Sequence, residues 1–215
     1  MLARTDSVAS LVDRWLAEFE RALAGSDDVG LERLFHPDSH WRDVLALTWR
    51  IGTVDGRDAI VRELKAHAGV ARPAGFRTAP KRTAPRTVTR AGTETIEAIF
   101  EFETAQGRGI GILRLISDRN APKAWTLLTA LDELKGHEET VGRARPTGQS
   151  YSRDFHGPNW LDRRKSAAAY IDREPAVLVI GGGQAGLSIA ARLGQLQVDT
   201  LVVDREARIG DNWLD

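Results

Sequence analysis

Six consecutive residues and one acid carry the most legible chemistry. Gly181-Gly182-Gly183-Gln184-Ala185-Gly186 comes directly after the apolar run Ala176 to Ile180, and Leu187, Ile189, Ala190 and Leu193 come next at helical spacing. A second apolar run, Thr200 to Val203, ends at Asp204, about twenty residues past the glycines. Strand, glycine turn, helix, strand and acid in this order form a dinucleotide fingerprint, with the first strand expected to be buried on both faces. Gly181 allows the tight turn off the strand, and Gly183, lacking a Cβ, lets the backbone approach a pyrophosphate. Gly186 lets helix and strand lie close. Free N–H groups at the helix start, around Gln184 and Ala185, point at the phosphates with the helix dipole behind them. Asp204 sits where a carboxylate accepts hydrogen bonds from the adenosine ribose hydroxyls. Its charge repels a 2′-phosphate, so FAD or NAD fits here better than NADP, although Arg205 next door softens that exclusion. The competing reading is a turn ahead of a structural helix, and strand, helix and acid together weigh against it.

The residues after the acid narrow the choice. Asp204, five residues, then Gly210-Asp211-Asn212-Trp213 resembles the Gly-x-x-Trp segment of the flavin-containing monooxygenases. The resemblance spans about residues 174–215 and implies FAD, bound through Gly181, Gly183, Gly186 and Asp204 at its ADP portion, with Gly210, Asn212 and Trp213 toward the flavin. Asp211 stands where many members have a second glycine. In that family NADPH reduces the flavin, and O2 then forms a C4a-(hydro)peroxyflavin that oxygenates a small organic substrate, with no side-chain nucleophile. The family's F-x-G-x-x-x-H motif and its second glycine fingerprint have no match here. The resemblance therefore implies the N-terminal part of a longer enzyme, with the NADPH site not contained in this chain and no turnover expected from these residues alone.

The residues ahead of the fingerprint predict a different architecture. Val8, Leu11, Val12, Trp15, Leu16, Phe19 and Leu23 recur at helical spacing, with Asp6 or Ser7 as cap and Gly25 as the left-handed stop. Leu31, Leu34 and Phe35 suggest a second helix ending before Pro37. His40 to Val54 reads as a strand, Asp55-Gly56 as a turn and Arg57 to Ala68 as a third helix. From Thr93 the period becomes two, with Ile96, Ala98, Phe100 and Phe102 inward. Gln106-Gly107 and Asp118-Arg119-Asn120 then turn into two further strands, reaching Ile116 and about Leu134.

This order resembles the SnoaL-like, nuclear-transport-factor-2-like cone, which implies helices packed into a curved antiparallel sheet. Such cones often pair through the outer face of their sheet, which leaves a homodimer open alongside a monomer. The fold expected overall is an α+β cone (1–136), a linker with a short helix capped by Asn159 (137–173), and the β-α-β start of an α/β Rossmann-type FAD-binding domain (174–215).

Other polar groups read as structural. His40 and Asp43, three apart on one strand, face opposite sides, which weighs against an acid–base pair. Trp15, Trp41, Trp49 and Trp125 read as core or pocket wall. Residues 72–90 hold six basic residues and no acid, a pattern of a solvated loop or an edge strand with outward cations. Arg163-Arg164-Lys165 reads as the wet face of its helix.

Composition closes off further classes. The 215 residues carry 30 basic and 30 acidic side chains and no cysteine. Thiolate metal sites and cysteine redox chemistry are thereby excluded within this sequence, and no metal site is expected. Zero net charge provides no field for nucleic acid or a membrane surface. No run approaches about 18 apolar residues, and Asp6, Asp13 and Glu18 interrupt the start, so a cytoplasmic location is expected. Three alternatives stay open: another two-dinucleotide flavoprotein of the pyridine nucleotide–disulfide type, a non-enzymatic ligand-binding cone, and an isomerase or cyclase working through His40 and Asp43.

Overall fold

A computed structural model describes residues 7–117, 121–142, 157–208 and 210–213. The chain divides into two compact units, Met1–Lys135 and Gly136–Asp215. No helix among the described residues is long and apolar enough to cross a membrane.

In the first unit, α1 (Val8–Gly25) starts at Ser7, whose hydroxyl accepts the Ser10 N–H at 3.1 Å. Its left-handed stop is Ser26 (φ 50°) rather than Gly25, and the Ser26 N–H caps the last turn. Helix α2 (Asp28–Leu34) is capped by Asp27, which accepts the Gly30 N–H at 2.9 Å. Strand β1 (Phe35–Val44) begins earlier than the sequence suggests. Pro37, which cannot donate to a ladder, falls where the register to its neighbour shifts between Phe35 and His40.

The apolar run from His40 to Val54 is a hairpin, not one strand. β1 ends at Val44 and β2 is Ile51–Asp55. Between them Leu45 and Trp49 adopt left-handed φ values of 62° and 56°, and Ala46 and Leu47 tuck into the core. The run is apolar because its loop is partly buried, not because the strand continues. Gly56 (φ 83°) then opens α3 (Arg57–Ala71).

The basic stretch supplies two edge strands, β3 (Ala74–Thr78) and β4 (Arg86–Arg90), both antiparallel to β5 (Thr93–Glu103). With β6 (Gly107–Ile116) and β7 (Lys123–Leu134) the sheet runs β2-β1-β7-β6-β5-β3, with β4 also on β5. It is mixed rather than purely antiparallel, since β1 pairs β7 in parallel. The β5–β6–β7 meander ends with β7 running the same way as β1, and β2 occupies the other edge of β1. The turn expected at Asp118-Arg119-Asn120 lies outside the described residues.

One continuous core joins the helices to one face of this sheet. Val12, Trp15, Leu16 and Phe19 of α1, with Ile60 and Leu64 of α3, pack on Phe35, Trp41, Phe100, Phe102, Leu113 and Leu127. Trp15, Phe19, Phe35, Phe76, Phe100 and Phe102 form a chain of ring contacts with centroids 4.9–6.0 Å apart. The rings find room because β6 presents glycines inward. A Cβ on Gly109 would overlap the Phe102 ring, and one on Gly111 would overlap the Phe100 ring. Alternation along β5 is as the period of two predicts, with Ala98, Phe100 and Phe102 buried.

In the second unit, α4 (Trp160–Ala169) is capped by Asn159, whose side chain accepts the Asp162 N–H at 3.0 Å. Arg164 and the other basic residues of α4 are exposed, and Arg164 lies over the Trp160 ring. Strands β8 (Val177–Ile180) and β9 (Thr200–Val203) pair in parallel, with α5 (Gln184–Gln195) as their crossover. Burial of β8 on both faces is not what is found: Val179 is buried, while Leu178 and Ile180 are 53% and 83% exposed. Helix α5 covers one face, and no described element covers the other.

Candidate nucleotide site

The glycine turn takes its shape from what each residue must avoid. Gly181 leaves β8 with φ 103°, a region open to glycine and strained for other residues. Its N–H still donates to the Val203 carbonyl at 2.8 Å, extending the β8–β9 ladder by one bond. Gly183 is the N-cap of α5 in extended backbone, and no side chain caps the helix. The first N–H groups of α5, including those of Gln184 and Ala185, therefore have no intrahelical acceptor. Gly186 is pressed against the turn: a Cβ there would overlap the Gly181 carbonyl oxygen and sit 3.3 Å from Val179 Cγ1.

Asp204 closes the site from β9. Its Oδ1 accepts the Glu206 N–H at 2.9 Å, and its Oδ2 accepts the Gly182 N–H. The Glu206 amide first, then the Gly182 amide, hold the Asp204 carboxyl below its ordinary range, so it is ionised at neutral pH. Ile180, Gly181, Val203, Asp204, Arg205 and Glu206 line an open groove of about 540 Å³ at the carboxyl ends of both strands. Arg205 pairs with Glu206 at 2.8 Å.

The structure thus brings Gly181, Gly183, Gln184, Ala185, Gly186 and Asp204 to one end of the two strands. Of these, Gly181 and Asp204 line the groove; Gly183, Gln184, Ala185 and Gly186 do not, nor do Gly210 and Trp213. Gly210 (φ 99°) begins a tight 3-10 turn over Asp211–Trp213, and the Trp213 N–H donates to its carbonyl at 3.0 Å. Trp213 is exposed, and the side chain of Asn212 lies outside the described residues. Asp211 has a task that the sequence pattern did not reveal. Its carboxylate accepts the Arg208 N–H at 3.0 Å and pairs with the Arg208 guanidinium.

The structure gives protein partners to several other polar residues singled out from the sequence. His40 and Asp43 do not meet. His40 Nδ1 lies 2.6 Å from Asp55 Oδ1 on the outer face, whereas Asp43 is buried and accepts bonds from Thr129, Thr48 and Leu47. Trp15 and Trp41 are core, but Trp49 stands exposed on the β1–β2 loop rather than in any wall. Three of the six cations of the basic stretch are met by acids of β5. Arg77 pairs with Glu101, and Arg86 and Arg90 converge with Arg114 on Glu97. That convergence joins residues far apart in sequence, and only the period-two placement of Glu97 on the outer face hinted at it.

Residues 179–215 match the family model described as an NAD(P)-binding Rossmann-like domain. No curated protein matches the sequence. Among solved structures, the chain is similar to a protein of unknown function with a cystatin-like fold from Nostoc punctiforme, at 13% identity and a TM-score of 0.43 over 61% of this chain and 94% of that one. An NTF2-like protein with a cystatin-like fold from Novosphingobium aromaticivorans shows 16% identity and a TM-score of 0.41 over 56% and 79%. A DUF4783 family protein from Bacteroides fragilis shows 16% and 0.39 over 54% and 96%.

Proposed function

We propose that the second unit holds the ADP portion of FAD, and that the chain is the front of a flavin-dependent monooxygenase with an α+β unit placed ahead of it. The observation that carries this reading is the ionised Asp204 carboxylate standing across the glycine turn at the shared end of β8 and β9. The Rossmann-like match over 179–215 supports a nucleotide there, and the resemblance of Asp204 to Trp213 to the flavin-containing monooxygenases favours FAD.

The residues present fit such a ligand. Gly186 lets α5 pack directly against the turn, and the uncapped start of α5 offers N–H donors to a pyrophosphate. A carboxylate has about four lone-pair sites; Asp204 uses two, and the others can take ribose hydroxyls. When bound, FAD would supply the redox chemistry, drawing on NADPH and O2 to oxygenate a small organic substrate. The chain's own part is to seat the diphosphate against α5, orient the ribose through Asp204 and exclude a 2′-phosphate by charge.

Titration of the chain with FAD, NAD+ and NADP+ by calorimetry tests this. FAD and NAD+ should bind, with NADP+ at least about tenfold weaker because two anions would meet at Asp204. Gly186→Val should abolish all binding. Equal affinity for NADP+ and NAD+, or binding that survives Gly186→Val, would overturn the reading.

We also propose that the first unit pairs with a second copy through the outer face of its sheet. Ile99, Ile112 and Leu128 stand side by side in register there, and with Ile110 they line a groove of about 230 Å³.

A further inference from the structure

We propose that Gly182 and Asp204 form a clasp that sets the shape of the phosphate loop, making Asp204 a positioning residue for the diphosphate as well as a ribose ligand. The inference rests on the nucleotide reading above. Gly182 is the one glycine of the turn to which motif spacing assigns no task. Its φ is not in the left-handed region, so backbone freedom does not explain it. Space does: a Cβ at Gly182 would sit 3.2 Å from Asp204 Oδ2 and 3.6 Å from Asp204 Cβ. The missing side chain lets the Gly182 N–H reach the carboxylate directly. The other oxygen is held by the Glu206 N–H at 2.9 Å, so the carboxylate cannot swing away without breaking a second bond.

The clasp decides which amides are left for a ligand. The Gly181 N–H is committed to Val203 and the Gly182 N–H to Asp204. Two successive amides of the turn are thus tied to the end of β9. A diphosphate must be met by the amides at the start of α5, around Gln184 and Ala185, and the clasp holds the loop where those amides face outward. The acid that reads the ribose and the loop that reads the phosphates are then one mechanical unit, and a change at Asp204 is felt at the phosphates.

A cycle of two ligands and three proteins separates the two roles. The probes are ADP and 2′,3′-dideoxy-ADP, which lacks the hydroxyls Asp204 would hold. They are titrated into the full chain as wild type, Asp204→Asn and Gly182→Val, with melting curves confirming that each is folded. Losing a charge-assisted bond at the ribose should weaken ADP about 30-fold in Asp204→Asn. The clasp adds a second expectation: dideoxy-ADP should also weaken, about fivefold, in Asp204→Asn and in Gly182→Val, although neither change touches a group that ligand contacts. In amide NMR spectra Asp204→Asn should move the Gly182 proton upfield. If Asp204→Asn does not fold, Gly182→Val poses the same question with the carboxylate intact. Dideoxy-ADP binding equally to wild type and to the folded variants overturns the clasp while leaving the nucleotide reading in place. Failure of both nucleotides to bind wild type overturns the nucleotide reading, and the clasp's role with it.

Discussion

Asp43 and Thr129 lie opposite each other in the parallel β1–β7 pairing, and the Thr129 hydroxyl donates to Asp43 Oδ1 at 2.5 Å. Both residues are buried. The same hydroxyl accepts the Trp41 indole N–H at 2.9 Å, and Asp43 Oδ2 takes the Thr48 N–H and hydroxyl at 2.9 and 2.7 Å. One carboxylate thereby holds the β1–β2 loop and the centre of the sheet together. Asp43→Ala leaves these donors buried without an acceptor and should cost at least about 1–3 kcal/mol. Thr129→Val should cost about 1–3 kcal/mol. Denaturant unfolding checks both, and nucleotide titration should be unaffected by either.

Glu97 gives the first unit an acid-sensitive stability. Arg90 first, with Arg114 and Arg86, pushes the Glu97 carboxyl down to about 2 from its usual value near 4.5. A carboxyl depressed in the fold stabilises above its unfolded pKa, and that stabilisation is lost as pH falls through the folded value. The contribution is therefore complete above pH 4.5 and disappears toward pH 2. Glu97→Gln should lower the melting temperature at pH 7 and flatten its fall between these limits. Salt should narrow the gap between the two proteins, because Arg86 and Arg90 are about half exposed.

Gly111→Ala should destabilise by about 1–3 kcal/mol or more, since the new methyl meets the Phe100 ring and the Leu128 carbonyl. Phe100→Leu in the same chain should recover part of the loss, because it yields where the backbone carbonyl cannot. A thermal-melt cycle over the two single variants and the double variant measures this coupling, and strict additivity would contradict it.

Ile112→Arg places a charge in the middle of the apolar band on the outer face of the sheet. Light scattering should find a dimer for wild type and a monomer for this variant, with melting temperatures close together at low protein concentration. A monomeric wild type would remove the pairing proposal.

Much of this was legible from local pattern. The glycine turn between β8 and α5 and the period of two along β5 are written in neighbouring residues, and the elements obey them. What was hidden depends on where distant groups meet. Nothing near Asp43 in the sequence says that its carboxylate is spent on Thr129, 86 positions away, and the buried loop residues Ala46 and Leu47 made the β1–β2 hairpin read as a single strand. Strands β3 and β4 pair along β5; the cations and the prolines flanking them suited an edge strand and a loop equally, and only the distant β5 decides between the two. Spacing placed Gly182 inside the motif, but not the direction of its N–H.

The inward glycines of β6 bear on how the first unit could acquire a guest. A bare stretch of backbone facing the interior is a socket, and here neighbouring Phe100 and Phe102 have already moved into it. Anything entering must evict the protein's own rings rather than solvent. Shortening those two residues would vacate the chamber without altering a single strand, so its capacity is governed by tenants rather than by walls.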